Sequence, residues 1–151
     1  MLIIHNEELL DCIRSRYALA DVQNLLKLLA EKSALTFPRL ENGLFRAAVL
    51  DDKTEYTGYS NVWVRDNVQV AYAHYVWGKT EIAVKNAQTL IAYFTKHRSR
   101  FEEIIQTPSL AQTVMNRPHI RFNGETLAEN SDYWPHAEND ALGYFLWFYC
   151  L

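Results

Sequence analysis

Two runs in this 151-residue chain, "DNVQVAYAHYVWG" (66–78) and "NDALGYFLWFYCL" (139–151), are apolar on almost every side. In the first, Val68, Val70, Ala71, Ala73, Tyr75, Val76 and Trp77 cover nearly every angle of a helix. A helix that is apolar all round is a buried one, and it needs neighbours on all sides. The sequence between the runs supplies a helix of another kind. Ala83, Ala87, Leu90 and Phe94 recur at i, i+4, i+7 and i+11, while Glu81, Lys85, Asn86 and Gln88 turn away, the pattern of a one-sided outer helix. Polar loops lead into each buried run. The chain is therefore expected to be all-α, alternating buried and one-sided helices.

Start and stop signals agree with that layout. Gly78 can end the first run, Thr80 can cap the next helix, and Asn139 or Asp140 can cap the last. "KHRSRFEE" (96–103) continues the middle helix or starts a short successor. Ahead of these, residues 7–32 read as one or two amphipathic helices, with Val22, Leu25, Leu26 and Leu29 on one stripe. "TFPRLENGLF" (36–45) breaks the pattern with a proline and an Asn-Gly pair, so it is a loop, and "RAAVLDDKTEYTG" continues irregularly or as short strand to residue 58. "HIRFNGETL" (119–127) alternates Ile120 and Phe122 against His119 and Arg121 up to Asn123-Gly124, a short β-hairpin signal. There is no fixed-period repeat and no linker, so residues 1–151 read as a single domain or part of one.

Composition narrows the function classes. Hydrophobic residues at 49% and charged ones at 22% are globular values. A net charge of −3 argues against a nucleic-acid partner, because affinity for phosphate backbones comes from clustered Lys and Arg. Cys12 and Cys150 stand at opposite ends without metal-ligand spacing and read as reduced thiols. No metal and no cofactor is expected. "MLIIHNEELL" lacks the basic and long apolar regions of a signal peptide, and no window is long enough to span a bilayer. The expectation is a cytoplasmic protein with no membrane partner.

"GYSNVWVRDN" (58–67) gathers Tyr59, Trp63, Arg65 and Asp66 just ahead of the first buried run. Together with "NGLFRAA" (42–48) and "WPHAENDALGYFLW" (134–147), it resembles glycoside hydrolase family 15, the glucoamylases, and more closely the related N-terminal domain of the phosphorylase kinase alpha and beta subunits. "NGLFRAA" is similar to that family's T-G-L-x-P-A segment, with Arg46 in place of proline. "YSNVWVRD" is similar to its Y-x-x-x-W-x-R-D motif. "WPHAEND" keeps a tryptophan and the aspartate six positions on, with His136 and Asp-Ala departing toward the kinase-subunit branch.

The resemblance implies the N-terminal portion of an (α/α)6 barrel, a six-hairpin toroid of which this chain would supply about a third, truncated at its C-terminal end. It also implies binding of an α-glucoside or other carbohydrate, whose apolar faces and hydroxyls suit aromatic platforms beside charged groups. Arg65 and Asp66 would hold sugar hydroxyls, Tyr59 and Trp63 would shape the pocket, and Trp134 would lie further along the ligand. Each has a plain structural alternative: Asp66 as a helix cap, Arg65 in an ion pair, and the three aromatics as packing. His136 and Asp140 read as supporting rather than ligand-binding groups. Hydrolysis needs two opposed carboxylates. In the family both lie in later motifs, so no catalytic residue is assigned and the chain alone is expected to be inactive. The alternatives are a non-catalytic regulatory domain like that of the kinase subunits, and a short product that self-associates through its bare C-terminal helix.

Overall fold

A polar residue ahead of a helix can satisfy N–H groups that the helix leaves free, and the first helix of the protein starts in this way. In the computed structural model, which describes residues 5–48 and 58–151, the Asn6 side chain accepts from Leu9 N at 2.8 Å and opens α1 (Glu7–Cys12). Helix α2 (Leu19–Glu31) follows, with Asp21 in its first turn accepting the Ala18 N–H at 2.8 Å. Lys32 and Glu8 join the end of α2 to α1 at 2.6 Å. The stripe read at 22, 25, 26 and 29 is only half shielded: Leu25 and Leu29 are half-buried, while Val22 and Leu26 are exposed. Neither helix has a buried residue. These elements belong to one compact unit, which reaches Phe37; a second runs from Pro38 to Leu151.

The second unit opens with the greater part of the 36–45 loop, closed by a single antiparallel bridge between Arg39 and Phe45. Gly43 turns it with φ +96°, a conformation that costs glycine little. Ala47 and Ala48 donate to the carbonyls of Asn61 and Tyr59. The rest of the segment read as irregular or short strand, residues 49–57, lies outside the described residues, as do residues 1–4.

Strand β1 (Val62–Trp63) runs directly into α3 (Val64–Val76). Asp66 is therefore not the cap: Trp63 holds the N-cap position without a side-chain bond, and Asp66 sits in the first turn. At the other end Gly78 takes φ +77°, and the N–H groups of Lys79 and Gly78 return to the carbonyls of His74 and Tyr75, each at 2.9 Å, a Schellman closure. Helix α4 (Thr80–Lys96) has Lys79 rather than Thr80 at the cap, α5 (Ser99–Gln106) is a separate successor, and α6 (Asn139–Tyr149) starts after Glu138.

Neither apolar run is buried all round. Helix α3 buries one face, Val64, Asn67, Val68, Ala71 and His74, and α6 buries only Ala141, Phe145 and Phe148. Both pack on α4, and they pack on each other. The face of α4 contributes Ala83, Leu90 and Tyr93, but also Asn86, which the pattern had turned outward and which is fully buried.

The hairpin becomes the centre of a three-stranded antiparallel sheet in the order β1-β2-β3, with β2 at Arg121–Asn123 and β3 at Ala128–Glu129. Val62 faces Phe122, and Phe122 faces Glu129. The alternation read for 119–122 does not hold, since His119, Ile120, Arg121 and Phe122 are all buried. The sheet is covered on both faces here, so no position is left for solvent. Phe122 stacks on Tyr93 with centroids 3.6 Å apart, which fastens the sheet to α4.

About 55% of the described residues are thus helical, with one small antiparallel sheet among them. The closed (α/α)6 toroid is not shown by this arrangement.

Candidate functional site

Register decides the first cluster. Trp63 pairs with Arg121 across β1 and β2, which brings an indole beside a guanidinium. Arg121 is buried; its Cζ lies 5.0 Å from the Trp134 ring centroid and 6.0 Å from that of Trp63, and its Nη2 donates to Asp132. The two indoles meet edge to face at 4.9 Å, and Tyr59 stacks on Trp63 at 6.3 Å. Tyr59, Trp63 and Trp134 are therefore brought together, as a stack around a buried cation. Cation–π attraction rewards such a stack once water is excluded. Arg121 and Asp132 escaped the sequence reading because an arginine in an alternating strand was placed on the wet face.

Arg65 belongs to a separate group. At the start of α3 it reaches Glu138 at 3.1 Å and Asp140 at 2.9 Å, both at the start of α6. The hydrogen bond from Arg65 holds the Asp140 carboxyl below its usual range. Asp66 stands apart from this bridge. Partial burial, which disfavours the charged form, pushes its carboxyl up, and the neighbouring Arg65 charge offsets only part of that.

His136 stands in the chain between Trp134 and Glu138, with a left-handed backbone, φ +43°, that few non-glycine residues adopt. Its Nδ1 accepts from Ile120 N at 3.3 Å, and its ring stacks on His119 at 3.8 Å. Burial, then the charges of His119 and Arg121, push its pKa down to about 4. A neutral ring accepting at Nδ1 carries its proton on Nε2, and that atom is buried with no partner. His119 donates from Nε2 to the Met115 carbonyl, and burial lowers its pKa too. Nearby, Arg100 grips Glu129 with two bonds of 2.8 and 2.6 Å. Burial alone would raise the Glu129 pKa, but the Arg100 hydrogen bond and the surrounding positive charge hold it down. Among the described residues no three His, Cys, Asp or Glu side chains form a metal-binding group, and Cys12 and Cys150 are free.

The exposed part of α6 has a different character. Leu146, Tyr149 and Leu151 are 61, 59 and 58% exposed, and Tyr144 and Trp147 are exposed beside them. Trp147 meets Tyr72 of α3 at 4.8 Å, and Tyr72 stacks on the exposed Tyr75. This gives a largely aromatic surface across α3 and α6, with Gln69 and Asp140 beside it.

The chain is similar to the uncharacterized lipoprotein YgeQ of Escherichia coli (strain K12), with 33% identity over 96% of this chain. It spans 61% of that relative's length. No family model matches the chain, and no solved structure matches it. These findings overturn the resemblance to glycoside hydrolase family 15 and to the phosphorylase kinase subunits. With it go the expected α-glucoside binding and metabolism and the kinase-like regulatory role. The motifs behind it are short, and this fold uses them locally: the tryptophans pack around Arg121, and Arg65 ties α3 to α6. The cytoplasmic expectation falls as well, because the relative is designated a lipoprotein.

Proposed function

We propose that the chain is an assembly module that pairs with a second copy of itself through α6 and the adjoining end of α3. One observation carries this reading: α6 turns Ala141, Phe145 and Phe148 inward and leaves its other large apolar side chains in water. Contiguous exposed apolar surface of this kind marks an interaction site, and aromatic residues are enriched at such sites. A second copy suits the face because residues 141–151 carry no charged side chain and the acid of α6, Asp140, is paired with Arg65, so like-charge repulsion between two such faces is small. The relative's designation as a lipoprotein supports a setting at a membrane surface. No described helix is long and apolar enough to cross a membrane.

Sedimentation velocity over a micromolar concentration series tests the pairing. A concentration-dependent dimer that Leu146→Lys with Tyr149→Lys abolishes is the expected result, and a clean monomer in the wild type would overturn the reading. For the setting, recovery of the native protein wholly in the soluble fraction after cell disruption would count against it.

A further inference from the structure

A cavity of about 410 Å³ opens between the 111–120 segment, α5 and the start of α6. That volume lies within the range of small-molecule sites. Its apolar wall includes Ile104, Ile120 and Leu142, and its polar wall includes Arg117, His136 and Glu138.

The two charged groups of this wall have different partners. The Glu138 carboxylate is taken by Arg65 at 3.1 Å. Arg117 has its Nε on the Ala111 carbonyl at 2.8 Å and an Nη1 proton on the Pro135 carbonyl at 3.0 Å. Two carbonyls from different segments fix the plane of the guanidinium, and neither carries a charge to offset it. Among the described residues the ion-paired arginines are 46, 65, 98, 100 and 121, and Arg117 is not one of them. Its remaining N–H groups keep the forked geometry that suits a carboxylate. His136, 4% exposed, adds a buried Nε2–H with no partner on the same wall.

We infer that this cavity binds a small organic monocarboxylate, with its carboxylate on Arg117 and its aliphatic or aromatic part against Ile104, Ile120 and Leu142. The cavity's Leu142 stands one turn before Leu146 of the proposed pairing face, so the two readings are tested by different variants, Leu146 and Tyr149 for pairing, Arg117 and Ala111 for the acid.

The test is isothermal titration of the whole chain with hexanoate and phenylacetate, with hexanamide and acetate as controls. Saturable binding of at least one of the two longer acids is expected, with hexanamide and acetate weaker by at least about tenfold, since one lacks the charge and the other the apolar part. Arg117→Gln should weaken binding by at least about tenfold. Because Arg117 also ties two segments together, Ala111→Phe gives an independent reading: it narrows the cavity and keeps the guanidinium, and it should abolish binding while the circular dichroism stays native. Absence of saturable binding in the wild type, equal binding of hexanamide, or unchanged binding in both variants would each overturn the inference.

Discussion

Asn67 and Asn86, both fully buried, share a hydrogen bond of 2.9 Å between α3 and α4. The Asn67 amide also accepts from Phe45 N and donates to Phe45 O, each at 2.8 Å, and it donates to Trp63 O at 3.0 Å. Asn86 donates in addition to Gly43 O at 3.1 Å. Two amides thus replace the partners that the 40s loop would otherwise find in water. Removing one leaves buried backbone groups unsatisfied, at about 1–3 kcal/mol each. Asn67→Ala is therefore expected to lower unfolding stability by about 3 kcal/mol in urea titrations. A change within error would show that the loop does not depend on this amide.

His136 gives the protein a pH dependence of known sign. Its folded pKa of about 4 lies below the ordinary histidine value of 6.5, so the unfolded chain takes up the proton first. Its contribution is fully present above about pH 6.5 and is lost as pH falls toward 4, up to about 3 kcal/mol. His119, lowered by its own burial, acts in the same direction. His136→Asn offers a side-chain oxygen to Ile120 N and tolerates the left-handed backbone. Between about pH 6.5 and 4 the variant should lose stability less steeply than the wild type; parallel curves would refute the assignment.

Gly124 is set by space rather than by φ. A methyl group there would overlap Val62 Cγ2 and come within 2.7 Å of Leu40 Cδ1. Overpacking of this kind costs about 1–3 kcal/mol. Gly124→Ala should lower the thermal midpoint, whereas Gly143→Ala, with open space around it, should raise it or leave it unchanged, since alanine favours helix.

The Arg65 bridge to Asp140 and Glu138 is partly exposed. Surface ion pairs stabilise weakly and are screened by salt. Arg65→Met should move the unfolding midpoint little, and less at high salt. The sensitive readout is the Asp140 carboxyl, held down chiefly by the Arg65 hydrogen bond. Followed by NMR, it should titrate at higher pH in the variant; an unchanged titration would mean the bridge is not formed in solution.

Much of the helical layout was legible because it depends on neighbours in the chain. The spacing of Ala83, Leu90 and Phe94, the stop at Gly78 and the break at Asn42-Gly43 are local signals, and α4, the end of α3 and the bridged loop follow them. Side chains whose partners are distant were not legible. Asn86 passed for one more polar residue on an outer face until α3 brought Asn67 to it. Arg121 passed for an outward residue until Trp63 and Trp134 closed over it.

The sequence by itself determined where the helices lie and that α3 and α6 are rich in large apolar side chains. Only the tertiary structure decided which of those side chains are covered. A helix presents its residues at fixed angles whatever surrounds it, but burial depends on what packs against each angle, and here α3 and α4 cover one face of α6 and leave Leu146, Trp147 and Tyr149 in water.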